Sequence, residues 1–317
     1  MPAPRAWRRF GYTLLFSILL VPQVGAQSPH PDSARIVTDD IVHFWEAWDR
    51  ADSSYDAQVF EEYYIARGSV GMQGFMRGRI QNAENLTSIV RSHPRFYASI
   101  RPQTQRILEA KHAIRSCFYA LKYLYPEALF PDVYFVIGAM NSGGTSSIRA
   151  LIIGAEMYGR TPDMPTEELN DWHQQVIGTV EQVPHIVAHE LVHFQQRYQT
   201  PTLLAQSIKE GSADFVAELI SGRHINEHVP AYANPRAEEL WKEFKKVMQG
   251  SEYAGWLYGG DREEGRPADL GYWMGYQITA SYYEQAHDKR QALADILEIE
   301  DVDAFLEASG YPDKFDK

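Results

Sequence analysis

Cysteine is nearly absent from this chain, with Cys117 the only one in 317 residues. A single thiol excludes a disulfide framework and any cysteine-based zinc or iron–sulfur site within one chain. Positive charge is also scarce: 30 Lys and Arg stand against 42 Asp and Glu, for a formal net charge of −12. That balance argues against nucleic acid as the main partner, because a phosphate backbone calls for a basic stripe. Beyond residue 26 no stretch is long and apolar enough to read as a membrane span. There is no internal repeat and no low-complexity linker. The turn-rich stretch Asn141-Ser142-Gly143-Gly144 lacks the Gly-Lys-Ser/Thr ending of a phosphate cradle. What remains, at 44% hydrophobic and 23% charged residues, is the composition of a globular protein able to bury a substantial core.

The first 26 residues have the layout of a targeting segment. Arg5, Arg8 and Arg9 form a positive start, an apolar run follows over residues 13–21, and Val24-Gly25-Ala26 ends in small residues. This is the pattern of a secretory signal peptide cleaved after Ala26. Cleavage removes three arginines and no acid, taking the formal charge from −12 to −15. The product is expected to be exported, secreted or periplasmic, with no membrane span of its own. Lacking disulfides, it must draw its stability from its core.

Two parts follow. Residues 27–130 read as a helical lobe, with apolar positions such as Ile41, Phe44, Trp45 and Trp48 at helical spacing. Residues 131–317 begin with two β-type runs, 133–137 and 150–153, whose turn-rich connection predicts a β-hairpin. Helical patterning resumes near Glu181 and continues to the C-terminus. The expected architecture is α+β: a mostly helical domain with a small sheet, the two parts packed as one unit.

The chemistry concentrates in His189-Glu190-Leu191-Val192-His193, a complete H-E-x-x-H. Residues four apart on a helix differ by about 40° around the axis, so both imidazoles leave one face and suit two corners of a tetrahedral zinc site. The intervening glutamate lies beside the metal position without having to ligate it, and can take a proton from a zinc-bound water. Ile186, Val187, Leu191 and Phe194 supply an apolar stripe, Pro184 suits a first turn, and Thr200-Pro201 ends the segment. Glu210-Gly211-Ser212-Ala213-Asp214 lies on a second helical segment that Gly222 would terminate. Glu210 is the candidate third ligand. Asp214, one turn on, is placed to accept the free ring N–H of a ligand histidine. The small Gly211 and Ala213 are expected where a helix presses close to a metal site. The alternative triad His185, His189 and His193 fails on distance, since residues eight apart rise about 12 Å along a helix.

With H-E-x-x-H followed by E-x-x-x-D, the sequence resembles the gluzincin zinc metallopeptidases. More narrowly, it resembles bacterial predicted zinc-protease families whose second motif reads E-G-x-A-D/E. The aromatic, glycine-spaced segment Gly271-Tyr272-Trp273-Met274-Gly275-Tyr276 fits the same pattern. The resemblance implies zinc at His189, His193 and Glu210, and a general base at Glu190. It also implies a substrate-aligning edge strand before the motif helix, for which the hairpin ending near Glu156 is the candidate. A tyrosine hydroxyl is allowed as an oxyanion stabiliser, and Tyr276 is the choice among Tyr272, Tyr276 and Tyr283. His185 is expected to pack or hydrogen-bond above the site, and Cys117 to be a buried, inert thiol.

The function that follows is an exported zinc metallopeptidase acting on a peptide or protein substrate, in which water activated by zinc loses a proton to Glu190. Two alternatives share the motif: a zinc-dependent hydrolase of a non-peptide bond, and a non-catalytic envelope binding or assembly protein on a peptidase fold.

Overall fold

The computed structural model describes residues 27–316 except 148, 226–227 and 260–264; the expected signal segment, 1–26, lies outside the described residues. Strand β1 (Ile36–Val37) leads into α1 (Asp39–Ala51), followed by α2 (Val70–Phe75), α3 (Ala83–Ser92), α4 (Pro94–Gln105) and α5 (Lys111–Leu124). Strands β2 (Asp132–Val136), β3 (Gly144–Ser146) and β4 (Ala150–Gly154) come next. The rest is helical: α6 (Asp171–Val176), α7 (Val183–Gln195), α8 (Leu203–Ser221), α9 (Ala237–Val247), α10 (Leu270–Gln285), α11 (Lys289–Leu297) and α12 (Val302–Ala308). The chain is a mostly helical α+β fold with one small sheet. One cluster of buried side chains runs from Ala34 to Tyr311, so the N-terminal helices and the C-terminal part share a core.

The sheet has the order β1-β2-β4-β3. Here the structure corrects the expected hairpin. β2 and β4 pair in parallel, with Tyr134 opposite Ile152, and the antiparallel partner of β4 is the short β3, with Thr145 opposite Ile152. The physical reason lies in burial: every residue of β2 and β4 is buried. Strands covered on both faces are continuous apolar runs, the habit of parallel pairs rather than of half-exposed hairpins. β3 is partly exposed and forms the sheet edge nearest α7.

Two helices carry the motif residues. α7 is buried on nearly every side, as its apolar composition requires. Its start is a 3₁₀ turn that runs into the α-helix. The side chain of Gln182 accepts from the Thr179 amide at 2.8 Å and closes a single 3₁₀ turn, after which the α-helix begins at Val183. Pro184 therefore sits in the first α-helical turn, where a missing N–H leaves no bond unmade. α8 ends where its sequence predicts. Thr202 accepts from the Ala205 amide at the N-terminus, and Gly222, at φ +82°, takes the left-handed conformation at the C-terminus.

Behind α8 lies α10, packed backbone to backbone. A Cβ on Gly275 would stand 1.7 Å from the Ser207 carbonyl oxygen, and one on Gly211 would stand 2.0 Å from the Tyr276 amide nitrogen. The small residue at 211 thus admits α10 and is not a clearance for the metal position.

Candidate metal centre

α7 and α8 bring His189, His193 and Glu210 together, with donor atoms all within 4.8 Å of one another. Glu210 Oε2 lies 3.0 Å from His193 Nε2 and 3.7 Å from His189 Nε2. The two rings stand at right angles with centroids 4.5 Å apart. Each ring's other nitrogen is held from behind. Asp214 Oδ1 lies 2.8 Å from His189 Nδ1, and Gln196 Oε1 lies 2.7 Å from His193 Nδ1. Gln196 is itself fixed by donating to the Lys209 carbonyl and to Ser212 Oγ. Contacts at Nδ1 from outside turn each Nε2 towards Glu210, which is how outer partners orient ligand histidines.

The electrostatics of this cluster suit a cation. Burial pushes the Glu210 carboxyl up, but His193 and His189 outweigh it and hold it well below the carboxylate range. Burial pushes the His189 ring down, yet Asp214 and Glu210 outweigh that and raise it to about 10. The ion-pair partners of Glu210 among the described residues are the two imidazoles. Buried carboxylates need compensating positive charge, and a divalent ion bound by the two Nε2 atoms and Glu210 Oε2 would provide it. Two neutral imidazoles and one carboxylate are a donor set that zinc accepts. The residues fit the ion.

Glu190 is buried on α7 beside β3. A Cβ on Gly144 would stand 2.7 Å from Glu190 Oε1, so the edge strand passes directly over this carboxylate. Burial raises the Glu190 carboxyl above its ordinary value, and His193 and His189 offset part of the rise.

Other candidates fall elsewhere. The Tyr276 hydroxyl donates to Glu218 Oε2 at 2.8 Å, and its ring packs on Phe215 and His224. Glu218 is eight residues along α8 from Glu210, or about 12 Å, so the structure does not bring Tyr276 to the cluster. One turn earlier on α10, Tyr272 lies nearly parallel to the His189 ring with centroids 6.4 Å apart. His185 Nδ1 lies 2.8 Å from Ser221 Oγ, at the far end of α8. Cys117 is buried, and burial pushes its thiol to about 11, out of reach of nucleophilic chemistry at neutral pH.

Sequence reasoning missed Gln196 and Gln206, and marked Tyr258 only as part of the aromatic, glycine-rich stretch 253–260, open to reading as a substrate-facing or a surface loop. Tyr258 donates to the other Glu210 oxygen, Oε1, at 2.7 Å, and Gln206 Nε2 donates to the same atom at 2.8 Å. Gln206 stands four residues before Glu210, a helical neighbour that spacing alone could have found. Tyr258 arrives from a loop, with φ +58°, and no periodicity announces it.

A mostly helical α+β fold in which adjacent helices bring together a buried histidine, a half-buried one and a buried glutamate defines a candidate metal centre. Residues 170–302 match the model of a family described as "Predicted Zn-dependent protease (DUF2268)". That segment holds His189, Glu190, His193, Glu210, Asp214 and Tyr258, and excludes the sheet and the N-terminal helices. No curated protein and no solved structure matches the chain.

Proposed function

We propose that the protein is an exported zinc-dependent metallopeptidase that hydrolyses peptide bonds, with His189, His193 and Glu210 as the zinc ligands. The observation that carries the reading is the convergence of His189 Nε2, His193 Nε2 and Glu210 Oε2 beside a buried Glu190 carboxylate under a sheet edge. Zinc bound by these donors supplies Lewis acidity to a carbonyl oxygen and to a water. Glu190 accepts a proton from the attacking water and returns it to the leaving nitrogen. Asp214 and Gln196 keep both Nε2 atoms turned inward. Among the described residues β3 has a strand on one side only, so an extended peptide can lie along its other edge and cross Glu190. In the region expected to form the hairpin ending near Glu156, β3 is the strand that would serve as the aligning edge. Export rests on the layout of residues 1–26.

The test is metal analysis of the purified protein followed by digestion of a peptide library with wild type and Glu190→Gln. The expected result is one zinc per chain in both, cleavage by wild type, and loss of cleavage by Glu190→Gln. Full cleavage by that variant would remove Glu190 from the mechanism. Stoichiometric zinc with no cleavage of any peptide would favour a non-peptide substrate or a binding role.

A further inference from the structure

The two oxygens of Glu210 keep different company. Oε2 faces the imidazoles, 3.0 Å from His193 Nε2 and 3.7 Å from His189 Nε2. Oε1 is held by two donors, the Tyr258 hydroxyl at 2.7 Å and Gln206 Nε2 at 2.8 Å. The same Gln206 nitrogen donates to the Tyr258 oxygen at 2.7 Å, so carboxylate, amide and phenol close a ring of three hydrogen bonds. An ionised carboxylate only accepts, which fixes the Gln206 amide with its nitrogen inward. Both hydrogens of that nitrogen and the phenol hydrogen are used in the ring. A carboxylate oxygen offers about two lone pairs, and the ring occupies both of those on Oε1.

The two donors reach Glu210 by different routes. Gln206 stands one turn earlier on α8, where residues four apart are neighbours. Tyr258 comes from the segment before α10, and its backbone is fastened there. Its amide donates to Asp269 Oδ1 at 2.8 Å, and the Trp256 carbonyl accepts from the Gly271 amide at 2.7 Å. Trp256 and Leu257 are buried. Tyr258 (φ +58°) and Asp269 (φ +65°) are two of the six non-glycine residues with positive φ among the described residues, and that amide bond joins them. Strained backbone held in place by its surroundings gathers at ligand clamps. Here it delivers one hydroxyl to one carboxylate oxygen.

This arrangement decides how the carboxylate can meet a cation. Ligation through both oxygens would take the lone pairs that Tyr258 and Gln206 use. Hydrogen bonds to an ionised acceptor are about twice as strong as neutral ones, and two of them oppose that change. Oε2 is left for the ion. With His189 Nε2 and His193 Nε2 it makes three protein donors, the number at catalytic zinc sites, where a fourth position stays open. A carboxylate free to bind through both oxygens would crowd that position.

We propose that Gln206 and Tyr258 are positioning residues that clamp Glu210 to one-oxygen ligation and so keep the fourth position of the ion open. The clamp rests on the ligand set of the proposed function and not on which bond is cleaved.

The test compares zinc-loaded wild type, Tyr258→Phe and the double variant Tyr258→Phe/Gln206→Met. Tyr258 is exposed and Gln206 half-buried, so neither change opens the core. Crystal structures should show Glu210 Oε2 at about 2.0–2.2 Å from zinc in wild type, with Oε1 on its two donors. In the double variant both oxygens should turn to zinc. Cobalt(II) in place of zinc reads the same change in solution, because its visible spectrum follows the number and geometry of its ligands. The spectrum of the double variant should differ from that of wild type, and Tyr258→Phe alone should shift it in the same direction. On a cleaved peptide, kcat should fall by about 10–100-fold with KM nearly unchanged. One-oxygen ligation and a wild-type cobalt spectrum in the double variant overturn the clamp and leave the ligand set standing. Two-oxygen ligation already in wild type does the same. Wild type that binds no stoichiometric zinc overturns the ligand set and the clamp together. The expected change in ligation and spectrum, with no peptide cleaved by wild type, leaves the clamp standing and removes the peptidase reading.

Discussion

Gly144 and Glu190 are in contact through a space that a single methyl group would fill: a Cβ on Gly144 would stand 2.7 Å from Glu190 Oε1 and 2.9 Å from its Cγ. The obstacle is the Glu190 side chain from Cγ outward and not backbone, so the fold can yield by a change of rotamer that moves the carboxylate. Gly144→Ala is therefore expected to change unfolding free energy by less than about 1 kcal/mol. It should also lower kcat/KM by about 100-fold or more, because a displaced base loses its catalytic geometry. Denaturant unfolding and peptide hydrolysis on the same preparation check both halves. Stability lost together with activity would mean that the contact is structural only.

The two rings at the metal position are held by different partners, Asp214 on His189 and Gln196 on His193. Asp214→Ala and Gln196→Ala are each expected to weaken zinc binding by about 10–100-fold while leaving it measurable. Glu210→Ala, which removes a ligand, should strip the ion. His185→Ala should leave metal content unchanged, since its ring meets Ser221 at the other end of α8. Competition titration against a chelator ranks the four variants. Zinc lost from His185→Ala and kept by Glu210→Ala would reverse the ligand assignment.

The helix pair α8 and α10 holds one wall of the site through glycines. A Cβ at Gly275 would stand 1.7 Å from a backbone oxygen, which cannot rotate aside. Gly275→Ala is expected to cost about 1–3 kcal/mol or more, since overpacking must be relieved by moving a helix. The same movement would carry Tyr272 away from His189. A urea midpoint equal to that of wild type would show that the close approach is not obligatory.

The parts of the site that sequence reveals are those set by helical spacing. His189 with His193, and Glu210 with Asp214, are each four apart, and that interval fixes a shared face whatever the surrounding fold. Gly222 ends α8 where its sequence places the end, because φ +82° is accessible to glycine without strain. Features that depend on contacts between distant segments are less legible. Tyr272 and Tyr276 share one face of α10, and only the crossing of α10 with α8 decides which meets the histidines. The parallel pairing of β2 and β4 is hidden by a 13-residue connection that contains its own short strand, so two adjacent apolar runs look like a hairpin. Tyr258 reaches Glu210 from a positive-φ position in a loop, and nothing in its neighbours' periodicity marks it.

Glu156 gives the fold a pH dependence separate from the metal centre. Its carboxylate is fully buried, accepting from the Gly138 amide at 2.8 Å and the Met140 amide at 3.2 Å. Burial raises its pKa from the ordinary 4.5 to about 7, and the two amides offset only part of the rise. The folded protein therefore holds this proton between pH 4.5 and 7, where the unfolded chain releases it. A raised folded value means a contribution fully present below pH 4.5 and lost as pH rises through 7. The loss amounts to roughly 3 kcal/mol over that window. Glu156→Gln cannot titrate, so the difference in unfolding free energy, wild type minus variant, should fall across the window and level off above it. Taking the difference cancels titration at the histidines and Glu210, and chelated samples keep metal binding out of the comparison. A difference curve that is flat from pH 4.5 to 8 would show that the Glu156 carboxyl keeps its ordinary value in the fold.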